Sequence, residues 1–428
     1  MNPPHWYRSL DRPARLAFWS SFGGFSIDAM SVQLYAFVLP ALTALWSMTP
    51  GEAGLLASAA LLSGSLGGWL AGAVSDRVGR IRVLRYSILW LAVSSAFCGL
   101  AQDYNQFLIA RLVQGFGFGA EWAVGVVFMS EMSPAATRGR TLGTLQSAWA
   151  VGWAIAAATA TISLALLPID MGWRITFFVG LLPALALFRM RGRIADTRVF
   201  GMGREPQPWH RIFARDAVGT TVKGTLLASG MHGGYWALAT WWPTMLKTER
   251  GMSTSEATMH MAALICGSFV GYILGAWLSD RVGRRATLAG FALAGVATTL
   301  VAMQPGLSAS ELLIVTPILG LFALGIYSAI GPVLTELYPT PLRGSGMGFC
   351  YNVGRGLAGI TPLAVGSSVA ALGHAQAIGL YVVSSYTLIL LATAFLRETK
   401  GIDLAVEHID APSPPMAIDA NPVRSPVQ

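Results

Sequence analysis

The sequence predicts an all-α membrane protein, with twelve transmembrane helices in two pseudo-symmetric six-helix bundles. Three observations lead there. The chain is 54% hydrophobic and only 12% charged, with a mean hydropathy of +0.56, whereas soluble chains carry roughly 25% charged residues. Apolar runs of about 20 residues, enough to cross a bilayer as helix, recur along its whole length. The hexapeptide Ser-Asp-Arg-Val-Gly-Arg occurs twice, at Ser75–Arg80 and Ser279–Arg284, 204 residues apart in a chain of 428. A charged hexapeptide closing an apolar run at the same point of each half signals duplication.

Taken in order, the first half (1–191) holds apolar runs near 16–45, 52–75, 83–101, 104–130, 139–168 and 173–191. The second half (217–397) holds runs near 217–246, 256–278, 286–304, 309–337, 343–371 and 376–397. Short polar turns join most of them, so consecutive helices are expected to be antiparallel neighbours. The stretch 192–216 is polar and basic and reads as a linker between the halves. The tail 398–428, with Ser413, Pro414 and Pro415, has the composition of a disordered segment. Met1–Arg15 is polar and basic, and the run behind it is too long for the apolar core of a cleavable signal peptide.

Basic residues orient the chain. Arg77, Arg80, Arg82 and Arg85 follow span 2, Arg138 and Arg140 follow span 4, and Arg281, Arg284 and Arg285 follow span 8. Arg343 follows span 10, and the linker adds Arg193, Arg198, Arg204, Arg211 and Arg215. Alternating spans put all of these on one side, against Arg174, Lys247 and Arg250 on the other. The positive-inside rule makes the linker and both termini cytoplasmic, in a membrane expected to be a bacterial inner membrane. The net charge of +8 is then a topology signal, not a nucleic-acid footprint. Cys98, Cys266 and Cys350 fall inside spans and offer neither a disulfide framework nor metal spacing.

A second repeated element supports the duplication. Glu131-Met-Ser-Pro134 with Arg138-Gly139 is matched by Glu336-Leu-Tyr-Pro339 with Arg343-Gly344, 205 residues on. Gly115 and Gly320, and Gly143 and Gly348, keep the same offset. Gly72-Ala-Val-Ser-Asp76-Arg77-Val-Gly79-Arg80 resembles the signature loop between helices 2 and 3 of the major facilitator superfamily, with its second copy between helices 8 and 9. The resemblance covers the chain to about Arg397. Arg111-Leu-Val-Gln-Gly115-Phe-Gly-Phe-Gly119-Ala-Glu121-Trp and Tyr351-Asn-Val-Gly-Arg355-Gly are similar to the superfamily's organic-acid branch, as is Asp28-Ala-Met-Ser-Val-Gln-Leu-Tyr35. That branch includes aromatic acid, sialic acid and monocarboxylate proton symporters. Its members often carry a second acid three residues after the first, where this chain has Ser31.

The charges divide into two groups. Asp76, Arg77, Arg80, Glu131 and Arg138, with Asp280, Arg281, Arg284, Glu336 and Arg343, sit at helix ends, where they can pair and complement helix dipoles. Pairs that close in one conformation and break in the other make a gate; otherwise they anchor loops in the headgroup region. Asp28, Arg111, Glu121 and Arg355 lie inside spans, where an unpaired charge costs about 2.5–3.5 kcal/mol.

Arg355 is the candidate for holding an anionic substrate, because guanidinium stays charged and meets carboxylate with two prongs. The resemblance points to the same position; the alternative is an ion pair with an acid such as Glu121. Asp28 is the preferred proton-coupling residue, its protonation linked to opening of the cavity. Arg111 is available to pair with Asp28, Glu121 belongs to the same set, and His232 is a further proton-relay candidate. Tyr35, Gln33, Tyr235, Trp236 and Asn352 are candidate cavity residues.

These features lead to a secondary transporter that carries a small organic anion, a monocarboxylate or aromatic acid, inward with protons by alternating access. A proton-coupled sugar or drug transporter of the same fold is the alternative. The scarcity of Gln and Asn in the spans disfavours a sugar. No Walker loop, paired-His metal site or serine nucleophile elbow is present, so no enzyme, cofactor or metal is expected. The expected partners are the anion, protons and the bilayer, with no nucleic acid, and the functional unit is expected to be a monomer.

Overall fold

A computed structural model describes residues 5–48, 50–197, 208–402 and 404. Among them there is no strand, and twelve helical stretches follow one another. Spans 1 to 3 are single helices, Arg12–Trp46, Pro50–Val78 and Arg80–Leu100. Spans 4, 5 and 6 are each made of two pieces: Tyr104–Gly117 with Ala120–Met132, Arg138–Gln146 with Ala148–Leu166, and Ile169–Val179 with Leu181–Arg191. Spans 7, 8 and 9 are Val218–Thr248, Thr254–Val282 and Arg284–Ala302. Span 10 begins as Ala309–Leu319 and ends as Ile330–Glu336; span 11 is Thr340–Ala358 with Thr361–Leu372, and span 12 is His374–Phe395. Ten of these stretches are long and apolar enough to cross a membrane among the described residues. The other two, spans 2 and 7, are 29 and 31 residues long.

Each half packs internally: span 1 on span 5, span 2 on span 4, span 3 on spans 4 and 6, and span 7 on span 12. The halves meet where span 2 packs on span 11 and span 5 on span 8. Apolar burial cannot drive helices together in lipid, so close backbone approach has to. A Cβ on Gly72 would lie 2.3 Å from the Gly344 carbonyl, and one on Gly143 would lie 2.4 Å from the Ala276 methyl. Glycine at these two seams brings the helices within hydrogen-bonding reach of each other's ends.

The breaks in spans 4, 10 and 11 each have a local cause. Span 4 is interrupted at Phe118–Gly119, where Gly119 takes φ +89°, a conformation cheap only for glycine. The sequence predicts an unbroken run, 104–130, through this point. Span 10 passes through a π turn at Gly320–Leu324 and a 3-10 turn at Gly325–Ala329, just after Pro317, which cannot donate to the helix ladder. Span 11 is interrupted at Gly359–Ile360, before Pro362. Irregular backbone at membrane depth is tolerated where it lines a cavity.

Of the linker expected at 192–216, residues 198–207 lie outside the described residues. Its later part forms a 3-10 turn, Trp209–Phe213, with Trp209 edge-on to Trp69 of span 2 and Phe213 edge-on to Phe349 of span 11. The tail assignment is corrected at its start. Glu398 and Thr399 are bonded into the helix ends described below, while 403 and 405–428 lie outside the described residues.

Candidate functional site

The helix-end charges assemble into two matching clusters. Asp76 pairs with Arg80 at 2.9 Å, Arg80 with Glu131 at 3.2 Å, and Glu131 with Arg343 of the other half at 2.8 Å. In the duplicate, Asp280 pairs with Arg284 at 2.8 Å, Arg284 with Glu336 at 2.9 Å, and Glu336 with Arg138 of the other half at 3.0 Å. Asp76 also accepts the backbone N–H groups of Gly344 and Ser345 at 3.0 and 2.7 Å. Asp280 accepts those of Gly139 and Arg140 at 2.8 and 2.9 Å. Asp280 therefore sits at the first turn of Arg138–Gln146 in the opposite half, where its charge is favoured, and Asp76 reaches the second turn of Thr340–Ala358. Arg77 and Arg281 are not brought into these clusters. Both are exposed, and Arg281 lies over the Trp277 ring, 5.0 Å from its centroid.

The clusters contain residues that the sequence reading missed. Thr197 donates to Glu131 at 2.6 Å and Thr399 to Glu336 at 2.7 Å. Asp196 accepts the N–H groups of Arg80 and Ile81, and Glu398 accepts those of Arg284 and Arg285. These cap spans 3 and 9 from a distance, since their own N-caps are Gly79 and Gly283 at φ 102° and 107°, without side chains. Burial raises the Asp196 carboxyl above its usual range despite the N–H groups it accepts. At Glu398, burial pulls in the same upward direction, but four backbone N–H groups outweigh it and hold the carboxyl below its usual range. An acid-threonine pair at 196–197 and again at 398–399 was the available signal.

All these ties lie on the side carrying the repeats. Deeper in, at the level of the helix breaks, a narrow cavity is enclosed by both halves. Its wall includes Phe25, Phe118, Trp122, Gln146 and Trp149 from the first half, and His232, Tyr235, Trp236, Tyr327, Tyr351 and Arg355 from the second. Trp122 stacks on Tyr351 with ring centroids 3.4 Å apart and donates to Gln146 at 2.7 Å. His232 is hydrogen-bonded to the Tyr327 hydroxyl at 2.9 Å and is edge-on to Tyr351.

Arg355 is 4% exposed. It donates to Asn352 Oδ1 at 2.8 Å and lies 4.2 Å from the centroid of Phe118. Its Nε has no hydrogen-bond partner, and no carboxylate pairs with it among the described residues. Gly119 makes room for it: a Cβ there would lie 2.6 Å from Arg355 Nη2. Asp28 is fully buried, and no side chain among the described residues hydrogen-bonds its carboxylate; Glu121, Arg355 and the Gly119 amide are its electrostatic neighbours.

Two alternatives left open by the sequence close here. Glu121 does not pair with Arg355; Arg191, at the end of span 6, holds it with two prongs at 2.7 and 2.8 Å, and Ser87 donates to it at 2.6 Å. Nor does Arg111 pair with Asp28. It donates to Gln114 at 2.6 Å and lies over the Tyr35 ring.

Arg111, Gln114, Gln33 and Tyr35 line a second cavity of ≈ 530 Å³, with Phe118, Tyr235 and Trp236 as its common wall with the first. It lies further from the repeats, because Gln33 and Tyr35 follow Phe25 along span 1 and Ala239 and Pro243 follow Tyr235 along span 7. The candidate cavity residues thus fall into two compartments: Tyr235, Trp236 and Arg355 at the centre, Gln33 and Tyr35 beyond, with Asn352 behind Arg355.

The Major Facilitator Superfamily model matches residues 21–362 and again 224–418. The chain belongs to the Major Facilitator Superfamily. A probable 4-methylmuconolactone transporter of Cupriavidus pinatubonensis is 36% identical over 416 residues, covering 96% of each chain. The cis,cis-muconate transport protein of Acinetobacter baylyi is 30% identical over 82% of this chain and 87% of its own. The niacin transporter NiaP of the same organism is 29% identical over 88% and 92%. Among solved structures, the proton:xylose symporter XylE matches with a TM-score of 0.78 at 18% identity, over 92% of this chain and 98% of that one; that likeness concerns the fold. This superfamily member is an integral, multi-pass membrane transporter and not an enzyme, as its sequence implied.

Proposed function

We propose that this transporter carries a small organic anion, an unsaturated or aromatic carboxylate, inward together with protons by alternating access. The observation that carries the reading is Arg355, a buried guanidinium in a cage of aromatic rings, paired with no carboxylate among the described residues. A carboxylate completes its two-pronged donor set, and the flat faces around it suit a planar, unsaturated body. The names of the relatives support the same class: muconate and niacin are planar carboxylates. Asp28, buried near Arg355 with no side-chain hydrogen bond among the described residues, is the proton site of this reading; protonation and anion binding then compensate one another in one low-dielectric space.

With the basic loops cytoplasmic, the closed side is the cytoplasmic one and the 530 Å³ cavity faces outward. The described state is then outward-facing, both termini are cytoplasmic, and the membrane is a bacterial inner membrane. A single chain encloses both cavities, which supports a monomer as the working unit. A sugar site needs several free amides and hydroxyls; here Gln146 is already engaged by Trp122 and Asn352 by Arg355.

Uptake into proteoliposomes tests this, using labelled 4-methylmuconolactone, cis,cis-muconate, nicotinate, gentisate and a neutral hexose, with and without an inward proton gradient. At least one acid accumulates under the gradient. Arg355→Ala abolishes that uptake in folded protein, and Asp28→Asn leaves anion exchange but removes gradient-driven accumulation. Transport of the hexose alone overturns the reading.

A further inference from the structure

The outer cavity holds a second buried guanidinium that the mechanism above does not use. Arg111 is 2% exposed and Gln114 is 1% exposed, yet both line the ≈ 530 Å³ space. Arg111 gives one N–H to Gln114 Oε1 at 2.6 Å, and Cys98 donates to the same oxygen at 3.7 Å. That oxygen is the acceptor of the pair, and it is taken. What is left over is donor only: Arg111 Nε and Gln114 Nε2 are buried with no hydrogen-bond partner among the described residues. Among the described residues, no acidic side chain lines this cavity. The Tyr35 ring, 4.8 Å from the guanidinium carbon, covers one face of it.

A buried cation with free N–H groups, an amide NH₂ beside it and no counter-charge has one kind of complement, a small anion. We infer that Arg111 and Gln114 form a second anion subsite, which takes the carboxylate of an incoming organic acid before it reaches Arg355. This rests on the proposed function for the identity of the cargo. The route between the two sites is short in composition: Phe118, Tyr235 and Trp236 wall both cavities. Phe118 sits between them, with Arg355 4.2 Å from its centroid on the inner side. Turning of that one ring would join the outer space to the one that holds the inner guanidinium.

Equilibrium binding of labelled 4-methylmuconolactone, cis,cis-muconate and nicotinate to the full-length, detergent-solubilised chain tests the inference. For at least one acid, two molecules bind per chain. Arg111→Gln removes one of them, or raises its Kd at least tenfold, and Gln114→Leu does the same. Arg355→Gln removes the other. Arg111→Lys, which keeps the charge but loses the fork, retains two sites with the outer one weakened. Thermal unfolding of each variant identifies loss of fold, in which case Gln114→Leu, with Arg111 intact, decides. One bound acid, unaffected by Arg111→Gln and lost in Arg355→Gln, overturns the outer subsite and leaves the proposed function standing. One bound acid lost in Arg111→Gln alone moves the central site and overturns the two-site order. No binding of any acid to the wild-type chain overturns both readings.

Discussion

Glu121 and Arg355 are both charges buried in the membrane interior, and their surroundings separate their roles. Glu121 accepts from Arg191 and Ser87. Arg191 in turn donates to Ser20 and to the Leu84 carbonyl, so the pair ties span 6 to spans 1, 3 and 4. A buried charge stranded by removal of its partner costs about 3–5 kcal/mol. Glu121→Gln is therefore expected to lower thermal stability by several degrees, because Arg191 loses its counter-charge. Arg355→Gln removes a cation that no carboxylate pairs with directly among the described residues, although Asp28 lies in its field, and is expected to cost less stability than Glu121→Gln while abolishing transport. Thermal unfolding in detergent measures both. An equal loss of stability in the two variants would mean that Arg355 is a structural residue.

At the scale of elements, the candidate site lies where helices stop being regular. Spans 4, 10 and 11 break around the central cavity, at a left-handed glycine, after a proline and before a proline. Gly119 serves twice, since its φ of +89° turns the chain and its missing side chain leaves the space Arg355 fills. Alanine there meets about 1–2 kcal/mol of backbone strain and pushes on the guanidinium. Gly119→Ala is expected to reduce anion uptake tenfold or more with the protein still in the membrane. Gly290→Ala serves as the control, because a Cβ at that helical glycine meets nothing within 4 Å. Equal uptake by the two variants would remove Gly119 from the positioning of Arg355.

For the whole molecule, closure of the repeat-bearing side is a matter of charge and capping rather than apolar burial. Glu131 and Glu336 each hold an arginine from their own half and one from the other. The cost of stranding those arginines exceeds the 1.4 kcal/mol that changes a population ratio tenfold. Glu131→Gln with Glu336→Gln is expected to open this side in most molecules. Spin labels at Arg77 and Arg281, exposed on opposite halves, report it as a longer distance in pulsed resonance. An unchanged distance distribution would show that the ties do not hold the closure.

What the sequence determined by itself is the periodic and repeated part of this protein. Span lengths follow from bilayer thickness, the repeat from the 204- and 205-residue offsets, and the members of the helix-end clusters from charges that recur at the same helix ends. Lipid penalises polar groups so strongly that the few present are informative wherever they fall. Even there, the repeats identified Asp76, Glu131, Asp280 and Glu336 but not which residues stay outside the clusters, as Arg77 and Arg281 do. Only the tertiary structure decided how the intramembrane charges pair. Arg355, Arg111 and Arg191 look alike in one dimension, and which of them receives Glu121 depends on how spans 3, 4 and 6 pack together. The same holds for the aromatic cage, drawn from distant spans of both halves, and for the division of the candidate cavity residues into two compartments. Pairing energy falls off over a few ångströms, so partner choice is a property of packed helices and not of spacing along any one of them.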